Sequence, residues 1–254
     1  MMKKSNEQNN RIQKIIAVLL LLALWQAVAM AVGSRLLIAS PLQVLKRLYH
    51  LLGEPGFLKT VWFSFSHIAG GFFLALFSGC FLAVLAGKHA WIEILLAPFM
   101  VTIKTVPVAS FIIIALIWLS SKNISVFISF LMVLPVIYNN VLGGIKNTDP
   151  KMTEMAEVFR ISWARKLRYI WIPSIQPYLF TACSVALGMA WKAGVAAEVI
   201  GIPAGSIGEE LYSAKAYLMT EDLFAWTVII VLISVTFEKL VLWLLGKIYA
   251  WYCH

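Results

Sequence analysis

Long apolar runs separated by short polar segments set the pattern of this chain. Six runs cover about residues 12–32, 61–87, 101–120, 124–143, 177–199 and 223–245. Each is near the roughly 20 residues an α-helix needs to cross a bilayer. The pattern predicts an all-α membrane protein with six transmembrane helices. Ahead of the third run, "WIEILLAPFM" reads as an interfacial helix, and Pro107 inside that run is expected to kink or break it. The polar start "MMKKSNEQNNRIQK" before an apolar run has the outline of a signal peptide. No convincing Ala-x-Ala site follows, and the run is about long enough to span, so it reads as a first transmembrane helix. The domains expected are a tail, 1–11, and one transmembrane domain, 12–254.

Composition agrees with this pattern. Of 254 residues, 61% are hydrophobic and 13% charged, against about 25% charged in soluble domains. The formal charge of +9 does not indicate nucleic acid, because Lys and Arg sit between apolar runs and build no continuous basic face. Their placement orients the chain instead. With the N-terminus inside, twelve Lys/Arg fall in cytoplasmic segments, beginning with Lys3, Lys4, Arg11 and Lys14, and six fall outside, beginning with Arg35. Both termini are therefore expected in the cytoplasm. Cys80, Cys183 and Cys253 have neither a disulfide framework nor metal-ligand spacing.

One cytoplasmic segment, 149–173, is long and charged. Asp149 then Pro150 is a helix start, an N-cap followed by proline at the first helical position. Met152, Met155, Ala156 and Phe159 recur at i, i+3, i+4 and i+7 as one apolar stripe. Ser162 can cap a second short helix carrying Arg165, Lys166 and Arg168, and Pro173 and Pro177 close the segment. Two readings stay open: a helix lying on anionic lipid, or a docking helix for a soluble partner.

The segment resembles the EAA loop of permease subunits of binding-protein-dependent ABC importers, with the pattern E-A-A-x3-G-x9-I-x-L-P. Glu154, Ala156, Ile170 and Pro173 match in register, and Ile172 replaces the Leu. Met155 stands where Ala is usual and Arg160 where Gly is usual, so the turn is expected to differ. "WKAGVAAEVIGIPAGSIGEELYSAKAYLMTEDLFAW", "ASPLQVLKRL" and "PVASFIIIALIWLS" are similar to the nitrate, sulfonate and taurine branch. The resemblance implies the type I importer permease fold, with 149–173 as a cytoplasmic coupling-helix loop. It implies that Glu154, Met155, Ala156, Phe159, Arg160 and Ile161 couple to the ATPase. The partners implied are a second copy of the chain, two ABC ATPase subunits that bind the ATP, an extracytoplasmic binding protein and membrane lipid. The place implied is the bacterial plasma (inner) membrane. The solute would be small, an anion such as a sulfonate or nitrate, or a pyrimidine precursor of thiamine.

No G-x4-G-K-[ST] occurs, so the chain cannot cradle ATP phosphates itself. No cofactor, metal or catalytic residue is expected. "AGSIG" at 204–208 has the outline of a nucleophile elbow but begins with Ala, and it leaves a membrane serine hydrolase as one alternative. A secondary transporter is another, although no repeat is found. Lys192 and Glu198 are costly charges in a span. They pair, or Glu198 caps the outer loop, or with Trp191 they line the translocation path. Gly71, Ala75, Gly79, Ala83 and Gly87, and likewise Ala182, Ala186, Ala190 and Gly194, form small-residue faces. These suit close packing either within the chain or against a second copy.

Overall fold

The computed structural model describes residues 2–33 and 37–253, with the side chains of 2–12, 14, 15, 252 and 253 outside the description. The charges counted at Lys3, Lys4, Arg11, Lys14 and Arg35 and the Cys253 thiol therefore lie outside the described residues. The described chain is helical: α1 (Met2–Val32), α2 (Pro41–Leu52), α3 (Phe57–Lys88), α4 (Ala90–Thr105), α5 (Val108–Trp118), α6 (Ile124–Lys146), α7 (Pro150–Val158), α8 (Trp163–Lys166), α9 (Ile172–Gly201), α10 (Ile207–Ala216) and α11 (Thr220–Cys253). A 3₁₀ turn (Ser121–Asn123) precedes α6, and a π turn (Leu167–Trp171) joins α8 to α9.

Among the described residues, four helical stretches are long and apolar enough to cross a membrane: Phe57–Lys88, Ser121–Lys146, Trp163–Gly201 and Thr220–Trp251. The first predicted span survives as an apolar part of α1, Ile16–Val32. The third is not one rod. α4 and α5 meet at 107°, because Val106 and Pro107 are both extended (ψ 133°). Proline lacks the N–H that would continue the helix and forces its predecessor out of the α region. The break expected at Pro107 is present, but "WIEILLAPFM" is no separate interfacial helix, since α4 runs unbroken through it to Thr105.

The chain divides into two compact units, Met1–Leu58 with Glu210–Ile229, and Lys59–Glu209 with Ile230–His254. In the first, Phe57 stacks on Trp226 and Trp25 meets Phe224, each with ring centroids 5.5 Å apart. Arg47 pairs with Asp222 and, at 2.6 Å, with Glu54.

The second unit holds the main core. α6 packs along α9, and Ile68, Phe72, Val133, Ile137, Leu187, Trp191 and Phe237 join in one buried cluster. Both small-residue faces are consumed here. A Cβ on Gly71 would stand 2.4 Å from the Val126 carbonyl oxygen, and one on Gly194 would stand 2.6 Å from Ile68 and from Ser129. Gly79 and Gly87 face Ile137 and Ile145, while Ala75, Ala83, Ala186 and Ala190 are fully buried. With no hydrophobic force between helices in lipid, close backbone approach supplies the attraction. These residues therefore pack inside the chain, and the second-copy reading of these faces is set aside.

Candidate functional site

Three features of the second unit hold the residues singled out from the sequence. The first is the segment after α6. Asp149 accepts the Lys151 N–H at 2.9 Å and Pro150 opens α7, the predicted start. The helix ends in a Schellman motif: the Ile161 N–H reaches the Ala156 carbonyl and the Arg160 N–H reaches that of Glu157, each at 2.9 Å. Arg160 takes the left-handed conformation, φ 49°. The turn expected to differ without glycine is thus made by an arginine, at a backbone cost of roughly 1–2 kcal/mol.

α7 seats on its own chain through Ala156, which is fully buried. Met152 and Met155 are about half exposed, and Val158 and Phe159 are 79% and 72% exposed. Of the six residues assigned to coupling, Glu154, Met155, Phe159 and Arg160 face outward, Ile161 is half-buried, and Ala156 has no surface to offer a partner. Ser162 stands at the start of α8 with extended backbone, but its hydroxyl makes no cap bond. Pro173 and Pro177 do not close the segment. Pro173 lies near the start of α9 just after the π turn, and Pro177 is inside the helix, so the helical path runs on through both. Lys88 lies 5.9 Å from the Trp163 ring and Lys166 lies 4.0 Å from Glu157, tying the segment to α3 and to itself.

The second feature is Glu198, fully buried at the end of α9. Its Oε2 accepts the Ser64 hydroxyl at 2.6 Å and the Gly208 N–H at 3.3 Å. Ser64 Oγ in turn accepts the Ile207 N–H at 2.9 Å. One carboxylate and one hydroxyl thus take the first two N–H groups of α10, which a helix start leaves unsatisfied. The Glu198 carbonyl accepts the Ile202 N–H at 2.8 Å and ends α9, with Ile202 at φ 47°. A β-branched residue there is strained, and the bonds on both sides hold it. Gly208 makes the approach feasible, since a Cβ would lie 2.2 Å from Glu198 Cβ. Glu198 Oε1 and Ser125 Oγ are buried without a protein partner among the described residues. Of the readings open for Glu198, the structure supports the cap of the following loop. Ser64, Ser125 and Gly208 were missed from the sequence. The available signal was a serine in an otherwise apolar span, which needs a polar partner.

The third feature is Lys192, exposed and in none of the described ion pairs. Six residues separate it from Glu198, placing the two on different faces at about 100° per residue, and no bridge forms. Trp191 is buried against Phe65 and Phe237. Trp191 and Glu198 are buried inside the chain, whereas Lys192 is exposed. Ser206, the centre of the elbow-like "AGSIG", is a buried helix cap. Its Oγ accepts the Glu209 N–H at 3.0 Å, while Glu209 accepts the Gly205 N–H at 2.6 Å. No group of three or more metal-ligating side chains occurs among the described residues.

Fold and site together define a multi-pass helical membrane protein that carries an outward apolar knob between two spans. The profile of the family described as "Binding-protein-dependent transport system inner membrane component" matches residues 71–249, and the chain belongs to that family. Its members are non-catalytic permease subunits, which sets the hydrolase and secondary-transporter alternatives aside. The chain is similar to SsuC of Bacillus subtilis (strain 168), named for aliphatic sulfonates transport, with 25% identity over 91% of this chain and 84% of that one. It is similar to the nitrate import permease protein NrtB of Synechocystis sp. (strain ATCC 27184 / PCC 6803 / Kazusa), with 28% identity over 81% and 77%. It is also similar to the taurine transport system permease protein TauC of Escherichia coli (strain K12), with 26% identity over 86% and 82%.

Proposed function

We propose that this permease forms the translocation path of an ATP-driven importer for a small anion, with 149–173 as the seat of a separate ATPase. Two copies of the chain pair with two ATPase subunits and receive solute from a binding protein on the outer face. Both termini lie in the cytoplasm, following the Lys/Arg asymmetry. The observation that carries the reading is the surface of α7. Met152, Met155, Val158 and Phe159 are exposed on a helix anchored from behind by Ala156. A short rigid helix with apolar side chains outward and Lys151, Glu154 and Glu157 around them suits a groove on a soluble partner. Such a seat would pass the movement of the ATPase through α8 and the π turn into α9.

The anion reading rests on two supports. The similar permeases are named for sulfonates, nitrate and taurine, and Lys192 is a free cation on a span helix. These favour an anion over a pyrimidine precursor. The docking reading is tested with the complete transporter in proteoliposomes. Glu154→Lys with Phe159→Asp is expected to abolish ATPase association and uptake while the permease stays in the membrane. Association and uptake that both persist would overturn it.

A further inference from the structure

The helix α2 in the first unit is too short to cross a membrane, at 12 residues or about 18 Å. Its start is nevertheless fixed by its own sequence. Ser40 and Gln43 close a capping box at its start, and Pro41 occupies the first turn. Its side chains divide into three arcs. Val44, Leu48 and Leu51 face the chain, with Val44 and Leu51 buried and Leu48 half-buried. Gln43, Lys46, Arg47 and His50 form a polar arc and line one cleft together with Glu221. The third arc is apolar and open: Leu42, Leu45, Tyr49 and Leu52 are 70%, 62%, 78% and 60% exposed. At about 100° per residue these four fall within an arc of roughly 80°, flanked by Leu48 of the buried arc on one side and by Lys46 of the polar arc on the other. We propose that α2 is an interfacial helix, with Leu42, Leu45, Tyr49 and Leu52 seated in the lipid boundary and the arc of Lys46 and His50 turned to water.

Lipid is the occupant that the connections select. α2 touches α1, whose apolar part ends at Val32. That part already exposes Leu19, Leu20, Leu21, Leu24 and Met30, as a lipid-facing span does. At its other end only residues 53–56 separate α2 from α3. The turn is closed by the Glu54 N–H on Leu51 and the Phe57 N–H on Glu54. A helix tied so closely to the ends of two apolar helices is held at the depth where the hydrocarbon begins. There its outward leucines leave water, while Tyr49 and the long stem of Lys46 are of the types that settle at the headgroup level. Within the polar arc Arg47 is already paired with Asp222 and Glu54, and Lys46 and His50 are exposed to water. The helix therefore needs no protein partner to satisfy its charges. This inference concerns the lipid contact of the chain and does not depend on where the ATPase docks.

The test uses the complete transporter in vesicles of phosphatidylcholine and phosphatidylglycerol. Single cysteines at positions 42, 45, 49, 52, 43 and 50, in a chain carrying Cys80→Ala, Cys183→Ala and Cys253→Ala, are nitroxide-labelled. Collisions with oxygen and with a water-soluble nickel chelate are then compared. Positions 42, 45, 49 and 52 are expected to favour oxygen, and positions 43 and 50 the chelate. Chelate access at the stripe equal to that at position 50 would place the stripe in water and overturn the proposal. Low access to both probes would mean that protein covers the stripe, and would overturn it equally. A photo-crosslinking phenylalanine in place of Tyr49, in the chain with its native cysteines, provides an independent measurement. A phospholipid adduct is expected. A cross-link to a second copy or to the binding protein, or no adduct, refutes the lipid assignment.

Discussion

Gly70 and Gly71 are neighbours in α3, yet alanine should act on them in opposite directions. A Cβ at Gly70 meets nothing within 4 Å, whereas one at Gly71 would stand 2.4 Å from the Val126 carbonyl oxygen, 2.9 Å from Ser129 Cβ and 3.1 Å from the Phe130 N. Two of those atoms are backbone of α6, so no side-chain rotation relieves the clash and the two helices must part. Real Cβ contacts essentially never fall under 3.0 Å, so the separation grows by at least about 0.6 Å at the crossing, and a gap of that size forfeits a quarter to a half of the dispersion well for each atom pair it opens. Overpacking of this kind costs roughly 1–3 kcal/mol. At Gly70 the same methyl removes backbone freedom and strengthens the helix by up to about 1 kcal/mol. In thermal unfolding of the purified permease, Gly71→Ala is expected to lower Tm by roughly 2–10 °C, and Gly70→Ala to leave it unchanged or raise it slightly. Equal Tm values for the two variants would refute the close crossing of α3 and α6.

Three further expectations follow from the candidate site. Glu198→Ala strands the Gly208 N–H, at roughly 1–3 kcal/mol, and should lower Tm. Glu198→Gln keeps an oxygen for Ser64 and Gly208 and should unfold close to the parent, so equal losses in both would refute the capping role. Arg160→Gly relieves a left-handed arginine and should stabilise the α7 turn by about 1 kcal/mol, read as slower amide exchange at Arg160 and Ile161 with uptake retained. Lys192→Met should reduce anion uptake in a correctly assembled transporter whose basal ATPase rate is unchanged, with Lys192→Arg recovering much of it. Unchanged uptake kinetics in the methionine variant would remove Lys192 from the path.

Local chemistry was enough to determine much of this protein. Apolar runs near bilayer length gave the helices, because the bilayer leaves the backbone no other partner for its hydrogen bonds. Asp149-Pro150 gave the start of α7, and Pro107 gave the break between α4 and α5, since capping and the missing proline N–H act within a turn of chain. Tertiary structure decided which side of each helix is consumed. The stripe Met152–Phe159 could be read from spacing, but only the fold showed that Ala156 is its anchor and the others its face. Arg160 looked like a lost turn because propensity disfavours positive φ, yet the two Schellman bonds outweigh a penalty of one or two kcal/mol. For Trp191, Lys192 and Glu198 the sequence left pairing, capping and path lining open, and the helix distributes the three to core, surface and cap. The partners of Glu198 come from α3 and from the start of α10. Ser64 lies 134 residues away along the chain, and no local pattern carries a contact of that range.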